Sequence, residues 1–532
     1  LAQRLTNLLP PLNANGNGFN YVANPVENTH RANFDIRVDH RFSDKDNSFY
    51  RFSFENQPRF IPSPFQQTPL DGGGFFSGIE DNSYRSLALS ETHTFRPTLI
   101  NEFRLGYNRV NSHRYQLGFD TNLSADPAID FPGVPFTSGD LNGGLPQLTF
   151  EDGSAPQLGS PTFLPSQEIQ NTYVLSDNLT WVKGKHTFKF GTELRREEFT
   201  IFQPAESRGT EDFSSNLTDN PANPGTGGSA FASFFVGLTG FGAINNLHNV
   251  DYFRPIYSFY SQDDVRVTPK LTLNLGLRYE LFTTVKERHD EQGTFDLGNP
   301  ANPTIIVPRG QTMQLTPTLA SLITVSPTGT RGLVPVDKNN FAPRVGFAYQ
   351  IRPDTVLRGG YGLFYGGQEN GPYSNPSPGF NPPFFITQSF NSPCGAASAN
   401  PALNSSGLDC AVPGLSNAPG GAPGSAGISV GFPADSLTDP NTPMLYSVSP
   451  KLVTPYMQQW NLGLEHSLGK DTVLQITYAG SRGNKLFTFY NGNQADPTPD
   501  PTAPTAPRRP VPSIDTSISL FRSDGGSKYN SL

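Results

Sequence analysis

The sequence predicts an all-β fold, an antiparallel transmembrane β-barrel. Two observations predict it: segments of about ten residues in which apolar and polar side chains alternate, and a strict alternation of tight polar turns with long connections between these segments. A membrane barrel shows this asymmetry because its large loops lie at one rim. The 532 residues include 41 Phe, 52 Gly and 50 Pro but only 3 Met, a composition that suits strands and turns.

The turns and the connections divide the chain into hairpins. The tight turns lie at residues 43–46, 96–97, 183–185, 268–270, 352–354 and 469–471. The long connections, rich in Gly, Pro, Asn and Ser, lie at residues 57–83, 110–169, 200–253, 286–340, 366–455 and 482–513. A further pair of strands is expected around Ile514 to Phe521 and from Tyr529 onwards.

The strand faces are well separated in the clearest segments. From Leu271 to Leu281, leucines and Tyr279 alternate with polar residues and Gly276. In the first hairpin, a slip of one residue would turn Arg37 towards lipid, at roughly 2–4 kcal/mol for one such side chain at the bilayer midplane. Register is therefore strongly specified.

A few strand residues break this pattern. Asp177 and Asp263 fall on otherwise apolar faces, so either they lie near a rim or the register assigned to their strands is wrong. Glycines recur on the polar faces, where they suit barrel curvature or packing against a luminal plug; they are Gly106, Gly191, Gly276, Gly346 and Gly463.

Composition and motifs exclude several functions. The net charge of -8 is mild and has no basic stripe, so we expect no nucleic-acid partner. The sequence around Gly480 to Gly483 lacks the spacing of a nucleophile elbow, and the histidines are scattered. We therefore expect no catalytic residue, no cofactor and no metal site, and we do not expect an enzyme.

Several segments resemble the TonB-dependent outer-membrane receptors, in the subgroup with an Oar-like barrel. They lie at residues 177–186, 257–280, 340–349, 356–365, 455–464 and 478–483. The resemblance implies a barrel of about 22 strands around a plug domain, in the bacterial outer membrane. It also implies energy supply by the TonB-ExbB-ExbD system, and some relatives carry a carboxypeptidase-regulatory-like domain before the plug. Tight turns are then periplasmic and long loops extracellular.

The chain departs from that pattern at both ends. We expect residues 1–31 to be a lead-in segment or loop and residues 32–532 to form an incomplete barrel of about 12–14 strands. The plug, the TonB box and the signal peptide are expected to be absent, so the chain is interpreted as a fragment, with TonB-ExbB-ExbD acting through the missing N-terminal part.

Three functional hypotheses follow. The first is the barrel portion of a transporter that binds an unknown nutrient or macromolecular cargo through its loops, in contact with outer-membrane lipid. The second is a non-energised outer-membrane porin or adhesin, and the third is a secreted β-rich binding protein. The sequence does not identify the cargo, since peptides, glycans and chelated metals fit the loops equally.

The largest loop contains the candidate site residues. Phe384, Phe385 and Phe390 are expected to be exposed and to contribute to recognition, a role that long loops commonly have. Cys394 and Cys410 are expected to form a disulfide, which would close a loop of about 17 residues and stabilise the fold by roughly 3 kcal/mol. The alternative is two free thiols.

Overall fold

The computed structural model describes most of the chain. The described residues are 1–16, 20–65, 68–71, 77–131, 133–136, 141–219, 225–312, 314–366, 378–391, 432, 437, 444–469, 471–500, 503–514 and 516–532. The chain begins with helix α1 (Ala2–Asn7), and the two-residue strand β1 (Asn28–Thr29) follows.

Thirteen long strands form one antiparallel sheet, which we call the wall. They belong to a 16-stranded sheet of the described residues, and its other three members are the short strands β1, β13 and β20. Each long strand pairs with the next one along the chain, as in a meander. The wall strands are β2 (Ala32–Arg41), β3 (Asp46–Ile61), β4 (Gly78–Arg96), β5 (Leu99–Gln116), β7 (Ser166–Lys183), β8 (His186–Phe202), β11 (Val250–Thr268), β12 (Leu271–Phe282), β17 (Phe341–Arg352), β18 (Thr355–Tyr365), β21 (Tyr456–Ser467), β22 (Val473–Asn491) and β23 (Ile518–Ser531). The predicted antiparallel β fold is confirmed.

Side chains alternate across the wall with the predicted period of two. In β11 and β12, Tyr257 lies opposite Leu281 and Phe259 lies opposite Tyr279. These apolar side chains face outward and stay exposed: Phe259 and Leu277 each keep 49% of their surface accessible. So large an exposed apolar face requires an apolar environment, which hydrocarbon supplies.

The opposite, luminal face is polar and is held together by ion pairs. Asp35 of β2 accepts a hydrogen bond from the Arg51 guanidinium of β3 at 2.6 Å, and Lys189 of β8 lies 3.4 Å from Asp264 of β11. Within the described residues β2 does not pair with β23, so the wall is an open sheet.

Asp177 and Asp263 lie on the outward face, and a neighbouring strand supplies each with a partner. The Asn101 side chain donates a hydrogen bond to Asp177, and His186 Nδ1 lies 2.8 Å from Asp263 Oδ2. Both aspartates lie in the half of their strand nearest the tight turns, as expected for residues near a rim.

The predicted strand ends are wrong at the loop end of the wall. β4 begins at Gly78 and β5 runs to Gln116, so the predicted loops 57–83 and 110–169 are partly strand. Above the membrane both faces meet water, and the backbone ladder continues there without apolar alternation.

The expected strand pair near the C-terminal residues is also wrong. β23 is one continuous strand that pairs with β22 from Ala479 to Asn491. Gly525 and Gly526 lie within this strand. In the structure, a register shift near Lys485 of β22 accommodates this segment, and Lys485 has a φ of 55°.

The connections at the loop end fold into elements of their own. They make a four-stranded sheet, β19-β10-β9-β6, and a three-stranded sheet, β14-β15-β16. The short elements are β6 (Gln147–Phe150), β9 (Thr210–Phe213), α2 (Ala230–Phe235), β10 (Phe241–Asn245), β13 (Lys286–Glu287), β14 (Thr294–Phe295), β15 (Thr304–Pro308), α3 (Pro317–Leu322), β16 (Thr324–Gly329), β19 (Thr387–Asn391) and β20 (Leu445–Val448). Single turns of 3-10 helix lie at Leu123–Ala125, Ser215–Thr218, Pro378–Phe380 and Ala506–Arg508.

We call the described residues of these connections, together with α1, the loop layer. Its largest core packs Phe150, Phe213 and Phe234, whose ring centroids lie 5.2 to 5.5 Å apart. Ala2 and Leu5 of α1 are buried in the same core. A second core surrounds Phe295, Ile305 and Val511, joining connections that are distant in sequence.

No helix in the described ranges is both long enough and apolar enough to cross a membrane.

Candidate functional site

The loop layer is the candidate functional site, because long-range contacts give it a defined interior. β10 lies between β9 of its own connection and β19, so it joins two connections that are separated by wall strands. Loops held in this way present one surface in place of independent segments. Among the residues that the structure describes, the tight turns at the other end form no sheet and no buried core of their own.

A buried arginine holds one side of the loop layer in place by hydrogen bonds to backbone carbonyls. Arg208 is 1% exposed, and its guanidinium donates hydrogen bonds to the backbone carbonyls of Leu145, Ser160, Pro161 and Leu164. Burial lowers the pKa of Arg208 to about 9, so it stays charged at neutral pH. Arg208 therefore holds the connection that precedes β7 in one conformation.

A buried carboxyl group lies in the largest core of the same layer. Glu211 of β9 is fully buried, and neither of its carboxyl oxygens has a hydrogen-bond partner in the described part of the chain. Gly242 lies opposite on β10, where a Cβ would come within 3.2 Å of Glu211 Oε2. Burial raises the pKa of Glu211 to about 8, so the group is mostly neutral at pH 7. Neither Arg208 nor Glu211 stood out in the sequence, because no local periodicity marks them.

A buried asparagine fixes the segment that contains the predicted recognition residues. Asn381 is fully buried, and its Nδ2 donates hydrogen bonds to the carbonyl oxygens of Gly293 at 2.7 Å and Tyr446 at 2.9 Å. The Tyr446 amide donates back to Asn381 Oδ1 at 2.8 Å. This amide side chain therefore ties two connections together.

The expected exposure of Phe384 and Phe385 is wrong. They are 5% and 4% exposed and lie in two different apolar cores of the loop layer. Aromatic rings beside the fixed Asn381 stabilise the fold more by packing in these cores than by facing water. Their part in recognition stays a prediction.

The other predicted site residues lie outside the described residues. These are the side chain of Phe390, and Cys394 and Cys410 with their expected disulfide.

Buried polar groups cluster beside this segment. Asn245 donates to Glu206 at 2.8 Å, and His248 lies against the ring of Phe384 at 6.5 Å between centroids. Burial raises the pKa of Glu206 and lowers that of His248 to about 4. Burial also raises the pKa of Tyr446 to about 12. At neutral pH His248 and Tyr446 are therefore uncharged.

A basic cleft of about 270 Å³ lies on the luminal wall. Lys189, Arg278 and Arg344 line it, together with Tyr260 and Gln262. Arg344 has no carboxylate partner in the described ranges, and its guanidinium lies 4.3 Å from the centre of the Phe364 ring. Such a surface can bind an anionic group.

One group of potential metal ligands lies at the turn end of the wall. Ligand atoms of Asp46, Glu91 and His93 lie within 4.8 Å of one another. Asp46 already accepts a hydrogen bond from Ser43, and His93 Nδ1 lies 2.5 Å from it. The expectation that the chain has no metal site stays a prediction.

The sequence matches one protein family over its whole length. The sequence model of the family described as "Outer membrane beta barrel domain" matches residues 1–532. The chain belongs to this family. This outer-membrane barrel is therefore located in the outer membrane, and the third hypothesis, a secreted binding protein, is wrong.

Solved structures with a similar course of the chain include several outer-membrane receptors. The outer membrane transporter YddB from Escherichia coli is 10% identical, with a TM-score of 0.44, over 95% of this chain and 44% of that one. The ferric enterobactin receptor PfeA from Pseudomonas aeruginosa, as a mutant, is 10% identical, with a TM-score of 0.43, over 98% and 51%. The siderophore receptor PirA from Acinetobacter baumannii is 10% identical, with a TM-score of 0.41, over 95% and 50%.

The outer-membrane barrel spans about half the length of these solved structures. No curated protein matches it.

Proposed function

We propose that this outer-membrane barrel is the barrel portion of a TonB-dependent importer of the Oar-like subgroup. Its loop layer faces the cell exterior and binds cargo, and TonB-ExbB-ExbD energises passage in the whole protein. The observation that carries the proposal is the asymmetry of the two rims. The connections at one end fold into two sheets with buried cores, whereas those at the other end are tight turns.

The interior of the loop layer supports a role in binding. A barrel wall needs only short connections to close its strands, so the apolar cores around Phe213 and Phe295 serve another purpose. Fixed loops lose little conformational entropy when they bind a ligand. Below them, the luminal cleft lined by Lys189 and Arg344 offers charged groups along the route inward.

Whole-cell binding and uptake test the proposal. Cells that express the full protein are offered fractions of peptides, glycans and chelated metals. Arg208→Leu leaves four buried carbonyl groups without their donor, which costs about 1–3 kcal/mol for each unsatisfied group. We expect it to abolish cargo binding while the amount of barrel in the membrane is unchanged.

Two comparisons make this test specific. Lys185→Gln, an exposed change in a tight turn, should leave binding intact. Deleting tonB should abolish uptake and leave binding. Uptake that persists without TonB would support the porin hypothesis instead, and full binding by Arg208→Leu would rule out the loop layer as the site.

A further inference from the structure

Basic side chains line the outward face of the wall at its loop end. One row of cross-strand neighbours runs from β4 to β13 at a single level of the sheet. Its members are Arg85, Arg109, Asn171, Glu198, Phe253 and Lys286. Arg196, Arg288 and Arg331 adjoin this row, and we call these nine residues the basic band.

The band lies directly above the lipid-facing surface. One row further from the loops, Tyr107 and Tyr173 pack with their ring centroids 5.0 Å apart. The row below that one is apolar and contains Leu105, Leu175 and Leu194. Tyrosines above leucines mark the level where hydrocarbon gives way to headgroups. The part of the basic band next to these tyrosines, Arg109 and Asn171, is therefore at headgroup level.

Several cations of the band are available for an external partner. Arg85, Arg109 and Lys286 make no ion pair with any residue that the structure describes. The Arg109 guanidinium donates to the neutral Asn171 side chain at 2.9 Å, and Arg85 lies 6.0 Å from the ring centre of Phe54. Both contacts orient a guanidinium without neutralising it.

The remaining cations outnumber their carboxylates. Arg196 and Arg288 share Glu198, at 2.7 and 3.7 Å. Arg331 pairs with Asp290 at 2.6 Å. The Arg196 and Arg331 guanidinium groups also lie 5.2 and 5.8 Å from the ring centre of Phe253. An aromatic ring between two arginines holds them close together despite their repulsion.

The charge of this face reverses towards the tight turns. There the outward positions carry Asp46, Glu91, Asp177 and Asp263. The basic band thus belongs to one end of the outward face, as a specific binding surface would.

We propose that the basic band binds the phosphate groups of anionic lipids in the outer leaflet. The choice of leaflet rests on the proposed orientation, with the loop layer outside. Guanidinium groups bind phosphate oxygens bidentately, and they do so strongly at a surface that is partly shielded from water. Neighbouring strands lie about 4.8 Å apart, so Arg109 and Lys286 are about 19 Å apart along the row. The band can therefore engage more than one phosphate.

Lipid binding by the protein purified in detergent tests this proposal. Native mass spectrometry would measure occupancy by bisphosphorylated lipid A and by the same lipid after dephosphorylation. We expect clear preference for the phosphorylated form. The triple variant Arg85→Gln/Arg109→Gln/Lys286→Gln should weaken binding of the phosphorylated lipid by about tenfold to a hundredfold. The reason is that each basic residue near an anionic lipid surface contributes its own factor to the affinity, and the three factors multiply.

Matched variants distinguish recognition from total charge. Lys183→Gln/Lys185→Gln/Lys270→Gln removes the same charge at the turn end and should keep full binding. Arg85→Lys/Arg109→Lys, which keeps the charge and the fold, should bind with intermediate strength. Inorganic phosphate should not compete at the same concentration, which separates lipid-bound from free phosphate.

Three results would overturn the proposal: equal binding of the dephosphorylated lipid, equal weakening by the turn-end triple variant, or recovery of an acidic protein in place of lipid on the band. None of these results depends on transport. A failure of the proposed importer function would therefore leave this test unaffected.

Discussion

Two buried ionisable residues of the loop layer are stabilised in opposite ways. Arg208 keeps its charge because four backbone carbonyls accept its hydrogen bonds. Glu211 has no such partners and is accommodated mostly as the neutral acid, with the small Gly242 beside it. A buried polar group that lacks partners makes the fold sensitive to its protonation.

The stability of the loop layer should therefore fall as pH rises. The pKa of Glu211 is near 4.5 in the unfolded chain and about 8 in the folded protein, because burial disfavours the carboxylate. Between these values the folded state retains a proton that the unfolded state has lost. Stability then decreases by at most about 1.4 kcal/mol for each pH unit up to pH 8 and is flat above it. Burial also raises the pKa of Glu206 and Asp212, which act in the same direction.

Glu211→Gln should flatten this pH dependence and stabilise the loop layer at pH 7.5. Hydrogen exchange of residues 203–249, normalised to the intrinsic rate at each pH, measures the effect. Asp44→Asn, in a turn where the side chain is 95% exposed, is the control and should leave the profile unchanged. An unchanged slope in Glu211→Gln would show that another group titrates.

At the scale of elements, glycines allow aromatic rings to lie across neighbouring strands. Gly191 of β8 lies opposite Tyr260 of β11, and a Cβ there would meet Tyr260 Cε1 at 2.3 Å. The Tyr260 hydroxyl donates to Asn178 Oδ1 at 2.8 Å. This ring bridges three strands, β7, β8 and β11, on the luminal face. Gly106 has a different role, since its nearest neighbour would be Val174 Cβ at 3.8 Å.

Gly191→Ala should therefore destabilise the wall, and Gly106→Ala should not. The first change displaces the Tyr260 ring and costs about 1–3 kcal/mol by overpacking. The second fits the available space and should stabilise by about 0.4–1 kcal/mol, because alanine restricts the unfolded chain. Urea midpoints of the protein in lipid vesicles compare the two. Equal effects would indicate that both glycines serve curvature alone.

The strands differ in how well the sequence predicts them. The wall strands were predictable because period-two alternation is local, as in Leu271 to Leu281. The loop layer was not, because its strands are only two to six residues long and several pair with strands of other connections, as β10 does with β19. The burial of Phe384 and Phe385 depends on those long-range contacts. No pattern within residues 381–386 indicates it.

At the scale of the whole molecule, the two rims differ in both structure and charge. The loop end has buried cores and a basic outward band, whereas the turn end has short connections and outward carboxylates such as Asp177 and Asp263. A membrane with two different leaflets favours one insertion direction for such a wall. Orientation is therefore a property of the fold that can be measured separately from transport.

Labelling of intact cells with a membrane-impermeant maleimide should show the loop layer outside. The probes are Ala301→Cys, exposed in the β14–β15 connection, and Lys45→Cys, exposed in the first tight turn, with Cys394 and Cys410 replaced by serine. We expect Ala301→Cys to react at once. Lys45→Cys should react only after the outer membrane is permeabilised, because its turn lies on the periplasmic side. The serine background without a probe controls for other nucleophiles, and the reverse order of labelling would contradict the proposed orientation and place the basic band in the inner leaflet.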